Sequence, residues 1–277
     1  MSRIQNILEK AEREGSVRRL RNVAEPIVAA GPSVLQEAPP LPTLPPDTYA
    51  APPAAPSLGR GRPVTGASLD SKLVAVVAPS AQAAEQYRAL RTRILHADPG
   101  LAVNVVLVTS PGRNDGKTLT AANLALTMAQ DFQRRTCVVD ANLRHPQLHR
   151  LFGLDDGPGL SDVLVGRATL DEVLVFNEEH QISILPAGTV EARPAELLGS
   201  TAMRRTLEAL RSAFDRIVID APSAIPLADV GIVAPLVDTV LLVVRAGVTS
   251  RPSIQDAVTS IDDAKLLGIV LNETMAG

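Results

Sequence analysis

Apolar residues in the C-terminal three quarters of the chain fall into short unbroken runs separated by stretches of helical period. The runs occupy residues 73–77, 104–109, 136–140, 182–188, 216–222, 239–247 and 266–272. A strand with one wet face alternates polar and apolar residues, so continuous runs mark strands covered on both faces. Helical stretches at 83–97, 116–132, 196–214 and 252–263 lie between them. The alternation predicts a doubly wound, mostly parallel α/β fold whose ligands sit at the carboxyl ends of the strands.

Composition changes near residue 70. Of the 22 prolines, 11 lie between Pro26 and Pro63 among few large apolar residues. Such a stretch cannot bury enough surface to offset its ordering entropy. Residues 24–71 are therefore expected to be a disordered Pro-rich linker and 72–277 one globular domain. Ahead of the linker, residues 1–23 put Ile4, Ile7, Leu8, Ala11 and Leu20 near one helical face, accompanied by six basic side chains. A basic amphipathic helix of this kind either docks peripherally on a membrane or a partner, or stays solvated.

The formal charge of −3 divides into +1 for residues 1–71 (8 basic, 7 acidic) and −4 for the rest (19 basic, 23 acidic). Neither part has the basic footprint of a nucleic-acid binder. The apolar runs fall short of the roughly 18–20 residues that span a bilayer, and the charged N-terminus is unlike a secretory leader. A lone Cys137, in an apolar run and expected to be a packed thiol, excludes an intrachain disulfide. These features suit a reducing cytoplasm.

The run 104–109 leads into Ser-Pro-Gly-Arg-Asn-Asp-Gly-Lys-Thr and then into a helical stretch. Strand, loop and helix in that order are the context of a Walker-type phosphate loop. Pro111, Gly112, Arg113, Asn114, Asp115, Gly116, Lys117, Thr118 and Leu119 would wrap the phosphates of ATP, with the Lys117 ammonium on the β and γ groups and the Thr118 hydroxyl on Mg²⁺. Pro111 stands where the strict motif has glycine. Two later runs end in acids, Asp140 and Asp220, and a carboxylate at such a strand end binds Mg²⁺ directly or through water. His145 and His149 are spaced as metal ligands, but without a third ligand they read as surface histidines.

Five segments, around Glu85–Ile94, Thr109–Ala125, Val138–Gly153, Ile184–Met203 and Arg216–Gly247, together resemble the bacterial tyrosine kinases that pair with membrane polysaccharide co-polymerases in capsule and exopolysaccharide synthesis. The resemblance implies a P-loop NTPase-like fold, ATP and Mg²⁺ as cofactors, and autokinase activity regulating polysaccharide synthesis and export. It also implies a membrane co-polymerase as activator and a homo-oligomeric ring. Lys117, Asp140 and Asp220 become the catalytic set, with Thr118, Asp140 and Asp220 on the metal and Asp140 as candidate base for a tyrosine hydroxyl. Glu85, Arg88 and Arg91 match the helix that packs against a neighbouring subunit. Asn272 matches either the adenine-reading asparagine of related ATPases or a plain strand-end residue. Gly112 replaces the signature lysine of the partitioning ATPases, which separates the chain from that branch.

Two departures bear on activity. Asn142 replaces a second aspartate, and an amide neither attracts Mg²⁺ nor accepts a proton. The sequence has no tyrosine cluster near its end, so Tyr49 and Tyr87 are the candidate phosphoacceptors. The alternatives are a catalytically weak ATP-binding scaffold and a partitioning-type ATPase.

Overall fold

The computed structural model describes residues 58–96, 103–225, 229–261 and 265–273. The strands are β1 (Arg62–Val64), β2 (Val105–Thr109), β3 (Thr136–Asp140), β4 (Val175–Asn177), β5 (Ile182–Leu185), β6 (Arg216–Asp220), β7 (Thr239–Arg245) and β8 (Leu266–Asn272). The helices are α1 (Val74–Val77), α2 (Gln82–Leu95), α3 (Lys117–Ala129), α4 (Leu148–Leu151), α5 (Leu160–Leu164), α6 (Leu170–Val173), α7 (Pro194–Leu198), α8 (Thr201–Ala213), α9 (Asp229–Val233) and α10 (Arg251–Ser260).

The eight strands form one sheet in the order β1-β4-β5-β3-β6-β2-β7-β8, parallel throughout except where β4 meets β5. All five residues of β2 and of β3 are buried. Val105 and Leu107 face one apolar layer and Val106 and Val108 the other, as a strand clad on both sides requires. On the first face α8 buries Met203, Thr206, Leu207 and Leu210 along one stripe, and its N-cap Ser200 accepts from Met203 N–H. On the other face α3 is buried nearly all round, which follows from its run of Ala, Leu, Thr and Met.

Two sequence expectations are corrected. The apolar run 73–77 predicts a strand, yet these residues contain the helical turn α1. The reason is a side chain 48 residues away: buried Asn123 of α3 accepts from Ala75 N–H (3.0 Å) and donates to Lys72 C=O (3.1 Å), while Gln130 donates to Ala75 C=O (3.1 Å). Composition places residues 58–71 in the linker, yet β1 pairs in register with β4 and Asp70 N–H donates to Leu151 C=O (2.9 Å). The expected helix 1–23, linker residues 24–57 and Tyr49 lie outside the described residues.

The loop after β5 hangs on one carboxylate. Asp162 accepts from Gly159 N–H (2.9 Å), Thr189 N–H (3.1 Å), the Thr189 hydroxyl (3.0 Å) and Arg167 (2.9 Å). Burial pushes this carboxyl up, but the four donors outweigh it and hold it at about 2. Because the folded value lies below the ordinary one, its stabilisation is present above about pH 4 and fades as pH falls toward 2. Asp162→Ala is expected to cost about 2–4 kcal/mol at pH 7, since it strands buried N–H donors. Urea unfolding at pH 7 and pH 3 checks this, and the gap between variant and wild type should shrink at the lower pH.

Candidate functional site

The site is built at three strand ends. β2 stops at Thr109, and residues 110–116 turn over its end before α3 begins. The turn takes left-handed backbone at Asn114 (φ 66°) and Gly116 (φ 97°), the residue types that tolerate it best. α3 starts with no side-chain cap and no acid in its first turn. Its N-terminal N–H groups and dipole therefore remain available to an anion. Lys117 Nζ lies 3.5 Å from the Thr118 hydroxyl.

This loop is braced from behind. Asp115 accepts from Gly112 N–H (2.8 Å) and from the Thr249 hydroxyl (2.9 Å), and Asn272 donates its side-chain amide to Asp115 C=O (3.0 Å). One N–H of the Asn272 amide is thus engaged with the loop itself.

β3 and β6 run in register, so Asp140 pairs with Asp220 across the ladder, both fully buried. Their surroundings differ. Asp140 accepts from the N–H groups of Asn142 (3.0 Å), Gln147 (3.2 Å) and Leu148 (3.0 Å). Among the described residues, neither oxygen of Asp220 meets a hydrogen-bond partner of good geometry. Burial pushes both carboxyls up. The Asp140 value is drawn back by its three donors and by Lys117. Asp220, raised to about 7, is drawn down by Lys117 and the Thr118 hydroxyl and pushed further up by Asp140. A buried carboxylate without partners is costly. Two oxygen ligands beside a lysine, Asp220 and Thr118, fit a small hard cation such as Mg²⁺, which takes few protein ligands and completes its shell with water and phosphate oxygens.

A cavity of about 450 Å³ opens in front of Lys117 and Thr118, bordered by Asn142, Arg144 and Pro222. A second, of about 780 Å³, adjoins it and shares Arg113, Arg144, His145 and Gln147. Arg144 is held by buried Asp229 of α9 through a bidentate pair (2.9 and 3.3 Å). Asn142, standing where a carboxylate was expected, donates its side-chain amide to His145 C=O (3.0 Å).

The remaining expected site residues lie elsewhere. Glu85 pairs with Arg88 inside α2 (2.7 Å), and Arg91 donates to Thr127 C=O of α3 (2.7 Å), so all three are engaged within the chain. Tyr87 borders a different cavity, between α2 and β8, where burial raises its phenol and the Thr120 hydroxyl opposes the rise. The surface reading holds for His145 but not for His149, which is buried with Nε2 2.9 Å from Asp156. Among the described residues no group of three His, Cys, Asp or Glu side chains is gathered as a metal cluster. Sequence reasoning missed Lys72 at the cavity rim, Thr249 and Asp229; the last two act on residues 134 and 85 positions away.

No protein-family profile matches the chain. It is 31% identical over 209 residues to the tyrosine-protein kinase YwqD of Bacillus subtilis (strain 168), covering 75% of this chain and 88% of that one. It is 32% identical over 206 residues to the succinoglycan biosynthesis transport protein ExoP of Rhizobium meliloti (strain 1021), covering 73% of this chain but only 26% of that one. Among solved structures, the chimerical protein CapA2B2 superimposes with a TM-score of 0.71 at 28% identity, over 80% of this chain and 95% of that one. The kinase domain of the Escherichia coli tyrosine kinase ETK gives 0.68 at 28% identity, over 74% and 82%. Among the described residues no helix is long and apolar enough to cross a membrane.

Proposed function

The chain belongs to the bacterial tyrosine-protein kinases, and we propose that it transfers the γ-phosphoryl group of ATP to tyrosine in the regulation of capsular or exopolysaccharide synthesis. The observation that carries this reading is the buried Asp220, without a hydrogen bond of good geometry among the described residues and influenced by Lys117 and Thr118, at the end of the P-loop strand's neighbour. In this reading the 110–119 loop and the α3 N-terminus hold the triphosphate, and the Lys117 ammonium lies on its β and γ oxygens. Thr118 and Asp220 would hold Mg²⁺, which would neutralise charge on the phosphates. Asp140, anchored by its three N–H donors, fixes the 142–148 segment and would add negative charge beside Asp220. Catalysis is then positioning and charge neutralisation, with little covalent work for the protein.

A membrane co-polymerase as activator, a homo-oligomeric ring and a place on the cytoplasmic side of the membrane complete the proposal. The kinship with ExoP and with the CapA2B2 chimera supports the first of these. Incubation with γ-labelled ATP, Mg²⁺ and a glutamate–tyrosine copolymer tests the activity. Wild-type protein should label tyrosine, and Lys117→Met should retain about a hundredth of the rate, as when one charge-stabilising donor is removed. Equal labelling by both would end the proposal. Mass spectrometry of Tyr49 and Tyr87 in the same reaction shows whether the chain labels itself.

A further inference from the structure

Resting on the nucleotide-binding part of the kinase reading, we propose that Thr249 is a positioning residue for ATP. Its hydroxyl, acting through Asp115, holds the phosphate loop in its binding shape from the end of β7. Thr249 closes the turn that follows this strand: its N–H donates to Arg245 C=O (3.0 Å), and its hydroxyl oxygen accepts from Arg245 N–H (2.9 Å). Gly247 within the turn takes left-handed backbone (φ 72°), which glycine adopts without steric cost. With its oxygen engaged by the backbone, the hydroxyl gives its one proton to Asp115 Oδ1 (2.9 Å), 134 positions away in the chain.

Asp115 passes that anchorage to the loop. Its other oxygen, Oδ2, accepts from Gly112 N–H (2.8 Å), so one buried side chain ties two points of the loop to β7. Its C=O accepts from Asn272 at the end of β8 (3.0 Å). The two strand ends are joined in turn, because Ala246 N–H donates to Asn272 C=O (2.9 Å) and the Arg245 guanidinium meets Glu273 (2.6 Å). A carboxylate beside an anion site opposes the anion. Asp115 has both oxygens engaged by donors of the protein, which makes it a strut of the loop and not a ligand of the phosphate.

The loop passes through left-handed backbone at Asn114 and Gly116, a shape that persists only where its surroundings hold it. Gly116 and Lys117 follow Asp115 directly, so a shift at the strut moves the groups that would meet the phosphates. Apparent affinity falls with the fraction of molecules that keep the competent shape.

The test is equilibrium titration with Mg²⁺ and a fluorescent ATP analogue of wild type, Thr249→Val, Thr249→Ser, Asp115→Ala, the double variant of Asp115→Ala with Thr249→Val, and Thr239→Val. Melting temperatures are taken alongside. Thr249→Val should weaken binding about tenfold, the scale of one hydrogen bond to a charged group. Thr249→Ser keeps the hydroxyl and should stay within about threefold of wild type. In the Asp115→Ala background the valine should add less than about twofold, since the strut is already gone. Thr239→Val removes a hydroxyl bond to Lys265 C=O (3.0 Å) at the opposite end of β7. It should lower the melting temperature and leave affinity within about twofold, which separates positioning from mere destabilisation. In copolymer labelling, Thr249→Val should raise KM for ATP by more than it lowers kcat. Unchanged affinity in Thr249→Val, equal losses in Thr249→Val and Thr239→Val, or additive losses with Asp115→Ala overturn this proposal alone. A wild type that binds no nucleotide overturns it together with the kinase reading, whereas the expected affinity pattern in a chain that labels no tyrosine upholds it while the kinase reading falls.

Discussion

Asp220→Asn is expected to abolish phosphoryl transfer, by about a thousandfold or more, while making the nucleotide-free protein more stable at pH 8. Both effects come from one carboxylate. It is fully buried, neither oxygen has a hydrogen bond of good geometry among the described residues, and burial first, then Asp140, raises it to about 7 against the pull of Lys117 and the nearby Thr118 hydroxyl. A carboxyl held above its ordinary value binds its proton more tightly in the folded state. Stability therefore falls as pH rises from about 4 toward 7, and the full penalty remains above that. At pH 8 the penalty is on the order of 2–4 kcal/mol, since each tenfold gain in proton affinity on folding corresponds to about 1.4 kcal/mol. Removing the charge should raise the melting temperature by roughly 5–10 °C in a domain of this size. The gain should shrink toward pH 4, where the folded wild type already holds the proton. On the proposed reading activity goes because Asp220 would be the carboxylate that holds Mg²⁺. Differential scanning fluorimetry of the apo proteins at pH 8 and pH 5 decides the matter. A less stable variant at pH 8 would mean that Asp220 has partners in solution and is not held ready for a cation.

Gly116→Ala should reduce ATP affinity by more than a hundredfold with the domain still folded. At φ 97° an added Cβ is strained wherever it finds space. Here it would also lie 2.0 Å from the side-chain nitrogen of Asn272. Asn272 could swing aside, but only by giving up its bond to Asp115 C=O, one of the braces behind the loop. The variant therefore loses twice, in backbone strain and in a loosened loop. The second part can be separated: in an Asn272→Ala background the clash is gone and the strain remains, so the added loss on mutating Gly116 should be smaller than in the wild type. Titration with a fluorescent ATP analogue gives all four affinities. Additive losses would show that Asn272 and Gly116 do not share the loop.

The hydrophobic pattern was sufficient for most of the sheet. Residues 136–140 and 266–272 form β3 and β8 over the expected span, and 105–109, 216–220 and 239–245 lie within their runs. A buried parallel strand advertises itself because both faces must be apolar. The three-residue strands β1 and β4 left no such mark. Each pairs mainly through backbone groups at the sheet's margin, and β4 runs against its neighbour β5. The run 73–77 misled for a related reason: β-branched residues fit a strand, but Asn123 and Gln130 had already claimed its backbone polar groups.

By itself the sequence determined the order of β2, β3, β5, β6, β7 and β8 and of the helices α2, α3, α8 and α10 among them, the position of the loop before Lys117, and the two strands that end in acids. These are local properties: which faces a segment must bury, and which residue types a left-handed turn or a phosphate demands. What only the tertiary structure decided is the division of labour among those residues. Asp140 and Asp220 read alike in the sequence, yet one collects three N–H donors from the segment that follows it and the other collects none. Asn142 reads as a lost charge and in the fold clamps His145. Desolvation and hydrogen bonding depend on neighbours that folding brings from 85 to 157 positions away, as for Arg144 with Asp229 and Asp115 with Asn272. No window along the chain carries that information.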